Sequence, residues 1–172
     1  MAIVEQYQPD KIFLQEVRLS ADVREIAELA QMSWAFVPNF IDTSNQTYSG
    51  ILIASQGDRI SHQAIITKHY EPVVNTPKVS LLIEYSLGNS SESLLAVNAH
   101  LINFVNLSKF KAQLQEIESI LNEHQGAIIF AGDFNTWNKS RWLMLSQMAA
   151  RLNLIPVSFT PQDTKKIKSF LL

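Results

Sequence analysis

Hydrophobic and polar positions follow two regimes along the chain. Residues 11–17 (KIFLQEV) form a short apolar run that ends in polar residues, the pattern of a buried strand. Residues 48–55 (YSGILIAS) repeat it and run into the turn Gln56-Gly57-Asp58. Strands are also predicted over 34–40, broken by Pro38, and over 59–70, 78–87 and 93–101. The last two are separated by Gly88-Asn89-Ser90-Ser91, so this middle stretch predicts antiparallel hairpins. Two helices interrupt the early part. Residues 3–7 fit the last turns of one, stopped by Pro9. Ser20 is a candidate N-cap for another over 21–32, where Val23, Ile26, Ala27 and Ala30 recur at helical spacing.

The second regime begins at residue 108. Over 108–124 the residues Phe110, Leu114, Ile117 and Leu121 share one helical face. A five-residue apolar strand, 127–131, then runs into Gly132-Asp133-Phe134-Asn135. A second helix is predicted over 140–152, packing through Leu143, Met148 and Leu152, and a final strand over 155–159. Strands grouped together with helices at the flanks define a layered α/β or α+β fold, sheet on sheet or helix on sheet.

Composition narrows the chemistry. The chain has 172 residues, 47% of them hydrophobic, enough for one domain with a real core and too apolar for disorder. No apolar run is long enough to span a bilayer. The absence of cysteine excludes disulfides and thiolate zinc sites, and fits a reducing, cytoplasmic setting. With 14 basic and 16 acidic side chains, the net charge of −2 gives no strong nucleic-acid signature. Residues 139–172 are locally basic, with six Lys or Arg against one acid, Asp163. That asymmetry is first a solvated surface.

Polar residues gather at strand ends in three places. Gln15-Glu16 closes the first strand, where a carboxylate can project into a cleft. Asn98 and His100 end the strand at 93–101, and period-two alternation puts both on one side. Asp133 and Asn135 end the strand at 127–131, with Gly132 permitting close backbone approach. Each alone has a plainer reading: a surface Glu, a satisfied His, ordinary turn residues. Together they are the ingredients of a hard-cation phosphoester site. Mg²⁺ binds oxygen, often through one or two carboxylates plus waters and substrate phosphate.

Four blocks occur in one order: PDKIFLQEV (9–17), YSGIL (48–52), NAHL (98–101) and GDFN (132–135). They resemble the endonuclease/exonuclease/phosphatase superfamily, and Thr136-Trp137 with the helix after it resembles a bacterial branch of it. The resemblance implies a DNase I-like four-layer sandwich, two mixed β-sheets packed face to face and flanked by helices. It also implies a Mg²⁺-dependent (or Mn²⁺-dependent) phosphoesterase. Glu16 would ligate the metal. His100 would contact the scissile phosphate, Asp133 would orient the attacking water, and Asn135 would hold a phosphate oxygen. Asn98 would support the same cluster as a substrate-binding residue. Gly50 matches a small residue where a strand passes the site, and Lys78 is given no catalytic role.

The family pattern also has an N-terminal strand ending in Asn and a C-terminal Asp-His pair. Neither is found here, since no His follows Asp133. The expectation is therefore one domain over 1–172, incomplete at both ends, lacking the water-activating His and turning over weakly or not at all. The alternative is a non-catalytic remnant or interaction protein that retains the fold. Missing strands would leave exposed strand edges, a route to oligomers. The substrate is expected to be a phosphoester, with nucleic acid, phospholipid and inositol phosphate all open.

Overall fold

The computed structural model describes residues 2–88 and 91–158. A short helix, α1 (Ala2–Tyr7), leads into β1 (Lys11–Ser20). Strands β2 (Ser33–Asp42), β3 (Thr47–Ser55), β4 (Arg59–Tyr70), β5 (Pro77–Ser86) and β6 (Ser93–His100) follow. Helix α2 (Leu107–Leu121), strand β7 (Ala127–Asp133) and helix α3 (Lys139–Arg151) complete the order. One sheet has the order β1-β3-β2 and is antiparallel. The other, β4-β5-β6-β7, is antiparallel except for the parallel pair β6–β7 that α2 connects.

Three apolar layers hold these parts together. Ile51 and Ile53 of β3 meet Val79, Leu81 and Ile83 of β5 between the sheets. Alternation along the second sheet sends Leu82, Leu95, Val97 and Ala99 to the other face, against Phe110, Leu114 and Ile117 of α2 and Leu145 and Met148 of α3. The remaining face of the first sheet, Leu52 and Ala54, is closed by Leu29 with Ile26 and Met32 packed around it. The result is the expected two-sheet α+β sandwich.

The segment that closes that outer face differs from expectation. β1 continues to Ser20, which pairs with Thr47, so Ser20 does not cap a helix. Residues 21–32 form a turn, an extended stretch and one 3₁₀ turn at Ala27–Leu29. Burying Leu29 flat on the sheet outweighs the helical spacing of the neighbouring apolar residues. Helix α3 packs through Met148 and Leu152 as expected, but not through Leu143. Its buried residues are Arg141, Leu145 and Met148, while Leu143 is exposed. Residues 155–158 form no strand, and position 159 of the expected final strand lies outside the described residues. So do Lys165, Lys166 and Lys168 of the basic stretch.

Candidate active site

The parallel pair β6–β7 creates the site. Its register sets Asn98 beside Ala131, Ala99 beside Gly132 and His100 beside Asp133. The two strands therefore deliver His100 and Asp133 side by side at their carboxyl ends, a usual place for ligand sites in α/β sheets. Gly132 makes the approach possible. Its φ is +144°, and a Cβ there would lie 1.9 Å from the Ala99 carbonyl oxygen. No side chain fits.

Asn98 joins the two sheets. It is fully buried, and its amide nitrogen donates to the carbonyls of Leu14 and Leu52, at 2.9 Å each. Its Oδ1 accepts from Gln15 Nε2 at 2.6 Å. Each contact reaches the first sheet, two of them on β1 just before Glu16. The pairing of β1 with β3 slips between Leu14 and Val17, opposite Ile51, and Glu16 takes a positive φ of 55° within that irregularity. A bulge re-aims a side chain. Here it leaves the Glu16 carboxylate exposed on the side of His100, whose ionisation it influences.

His100 is only 5% exposed. Burial, assisted by the positive charge of Lys78, holds its imidazole below the ordinary value of 6.5, against the pull of Asp133, Glu16 and Glu71. Its Nε2 stands 3.7 Å from Asp133 Oδ2, too far for a hydrogen bond. The pair is thus a neutral imidazole beside a carboxylate at neutral pH, not an ion pair. A neutral imidazole retains one N–H to donate.

Asn135 lies past the end of β7, in a turn with φ 46°, so strand alternation does not carry it alongside Asp133. Its backbone N–H donates to Asp133 Oδ1 at 3.0 Å, and its Nδ2 donates to the Leu101 carbonyl at 2.7 Å. Glu71, Asn103 and Arg141, unmarked by any strand-end pattern, complete the surroundings. Glu71 is buried, accepts from the Asn103 N–H at 2.7 Å, and pairs with Lys78 Nζ at 3.5 Å. Arg141, also buried, donates to the carbonyls of Ile102 (2.8 Å), Val105 (2.9 Å) and Asn135 (3.3 Å). Its guanidinium packs on the rings of Phe110 and Trp137. The one signal available for Arg141 was its position in phase with Leu145 and Met148 on α3.

Among the described residues, no group of three or more His, Cys, Asp or Glu side chains is placed to hold a metal. That is compatible with Mg²⁺, which keeps waters and substrate oxygens around one or two carboxylates.

A layered sandwich with an acid on a bulge of one sheet, facing an imidazole and an Asp-Asn turn at neighbouring strand ends of the other, defines a recognisable class of folds. Comparison places the chain within it. The model of the Endonuclease/Exonuclease/phosphatase family matches residues 1–167, and the chain belongs to that family. A UPF0294 protein of Vibrio parahaemolyticus serotype O3:K6 (strain RIMD 2210633) is 33% identical over 161 residues, 92% of this chain and 56% of that protein. A UPF0294 protein of Vibrio campbellii (strain ATCC BAA-1116) is 37% identical over 118 residues, 68% of this chain and 40% of that protein. The chain thus spans about half the length of these curated relatives or less. An endonuclease/exonuclease/phosphatase family protein from Leptotrichia buccalis C-1013-b shares the fold at TM-score 0.62 and 16% identity, over 86% of this chain and 63% of that one. The human Nocturnin catalytic domain with bound sulfate does so at TM-score 0.58 and 19% identity, over 77% and 54%.

Proposed function

We propose that this chain carries the phosphate-binding half of a divalent-metal phosphoesterase. The observation that carries this reading is the meeting of Glu16, His100 and Asp133 from three strands of two sheets, with Lys78 close enough to influence His100. Glu16 is the metal ligand, held out by the bulge. Mg²⁺ or Mn²⁺, when bound, supplies Lewis-acid stabilisation of phosphoryl charge. His100, kept neutral by burial, donates its N–H to a phosphoryl oxygen, and Lys78 adds positive charge beside it. Asp133 accepts from and orients a water, with its other oxygen braced by the Asn135 N–H. Asn135 retains a second amide hydrogen for a phosphate oxygen. Asn98 supports the cluster by holding β1 in place; its three contacts are all to protein.

The resemblance assigns water activation to a His that these 172 residues do not contain, and loss of a general base costs on the order of 10²–10⁴ in rate. Binding is therefore the decisive readout. Thermal melting with Mn²⁺ at about 100 times its Kd is expected to stabilise the chain by about 2.7 kcal/mol. That amounts to a rise of roughly 5–10 °C in Tm. Glu16→Gln should remove the rise without changing the metal-free Tm. A wild type that gains nothing, or a Glu16→Gln variant that gains equally, refutes the site. Hydrolysis of bis-p-nitrophenyl phosphate by this chain should be weak. Robust turnover abolished by Glu16→Gln would show that the base is not needed.

A further inference from the structure

Three chain segments meet at the mouth of the site, and their tips are apolar. The loop between β4 and β5 is closed at its base by Glu71 N–H donating to the Thr76 carbonyl (3.0 Å) and Asn75 N–H donating to the Glu71 carbonyl (2.9 Å). Val73 and Val74 form its tip, 86% and 58% exposed. Glu71 ties that loop to the segment after β6 through Asn103. Asn103 Oδ1 in turn accepts from Trp137 Nε1 at 2.8 Å and from the Phe104 N–H at 2.9 Å.

Phe104 is the least expected of these. It is 67% exposed and has a φ of 53°, a backbone conformation that an aromatic residue rarely adopts. Its neighbours impose it. Arg141 holds the carbonyls of Ile102 and Val105 on either side, and Asn103 holds the Phe104 N–H. With the backbone held this way, the ring stands at the surface. Trp137 is fixed in the same way, with its N–H anchored, one side toward Arg141, and 58% of its surface exposed.

The segments that carry these tips are rich in lysine. Over residues 66–78, 101–111 and 134–142 the exposed cations are Lys68, Lys109, Lys111 and Lys139. The one acid in these segments, Glu71, is buried against Lys78, and the exposed carboxylates beside them, Glu16 and Asp133, belong to the site itself. Aromatic and aliphatic tips on segments that also carry exposed lysines suit the headgroup boundary of an anionic bilayer, where apolar insertion and electrostatic attraction add. An extended single-stranded nucleic acid would use the rings and lysines, but Val73 and Val74 offer no π-face for stacking.

We infer that this rim docks the site onto an anionic phospholipid surface, so that the phosphoester it meets is a lipid headgroup. The inference rests on the phosphate-site reading above and names its substrate class. The test is co-sedimentation of the 172-residue chain with phosphatidylglycerol/phosphatidylcholine vesicles, without metal, at physiological salt. Wild type should pellet with the vesicles, and the triple variant Val73→Gln/Val74→Gln/Phe104→Asn should bind roughly tenfold more weakly or less. Asn tolerates the Phe104 backbone conformation, so the variant should melt no lower than wild type. Val73→Gln alone is the second variant and should weaken binding on its own. Absence of sedimentation, or equal sedimentation of wild type and both variants, overturns the inference. So does binding of a single-stranded oligonucleotide, weakened by Phe104→Asn, in the absence of vesicle binding. Glu16→Gln should sediment as wild type does while losing the metal-dependent rise in Tm, so the two readings fail separately.

Discussion

Arg141 shows how far one side chain can organise a site without touching substrate. It has no carboxylate partner within hydrogen-bond reach among the described residues. Burial pulls its pKa below the ordinary arginine value, and the nearby charge of Glu71 opposes that shift. Its donors are instead spent on the carbonyls of Ile102, Val105 and Asn135, which fixes the loop after β6 relative to the turn after β7. The planar fork reaches carbonyls on both sides, a geometry that a single ammonium does not reproduce. Arg141→Met is expected to cost about 3 kcal/mol, as charged hydrogen bonds are lost and buried carbonyls go unpaired. Arg141→Lys should recover only a minority of that in urea denaturation. A loss under about 1 kcal/mol would show that the loop holds itself.

At the scale of elements, turns and bulges matter more than strand lengths. The β2–β3 turn is organised by Asp42, whose carboxylate accepts from the Ser44 hydroxyl (2.6 Å), Asn45 Nδ2 (2.8 Å) and the backbone N–H groups of both residues. These bonds, led by the Ser44 hydroxyl, lower its pKa from 3.8 to about 2. As pH falls, the unfolded chain takes up this proton first, so the turn's contribution is complete above about pH 4 and is lost between 3.8 and about 2. Asp42→Ala should therefore be less stable than wild type at pH 6. The difference should narrow as pH approaches 2, followed by chemical denaturation at each pH. A gap that is constant with pH would mean that the carboxylate's charge plays no part.

At the scale of the whole molecule, the site exists because two sheets are held in one alignment. β1 lies over β7, and Asn98 is the polar link between the layers close to the site. Asn98→Ala leaves two buried carbonyls and the Gln15 amide without partners, a loss of about 3 kcal/mol. It should also weaken Mn²⁺ stabilisation more than Arg141→Met does, because Leu14 and Gln15 immediately precede Glu16, the proposed ligand. Full metal response in a destabilised Asn98→Ala chain would separate the link from the site.

Much of this was legible in the chain itself. The apolar runs of β3, β5 and β6 and the helical stripe of α2 appear where hydrophobic periodicity places them, because each buries a face large enough to dominate its local preferences. His100 and Asp133 were also marked, since strand ends are where polar groups interrupt apolar runs; Glu16 was marked as a strand end too, but β1 runs on to Ser20 and Glu16 sits in a bulge inside it. Residues 21–32 were not legible. Their spacing is helical, but the sheet beneath them needed Leu29 laid flat. Glu71, Asn103 and Arg141 were equally silent, as a buried polar residue looks like a surface one until its partners are known. Sequence alone determined the layers, their order and the candidate donors, through local periodicity and chain order. Tertiary structure alone decided the neutral state of His100, the outward aim of Glu16 and the exposed setting of Phe104. Those depend on burial and on hydrogen bonds between residues up to 84 positions apart.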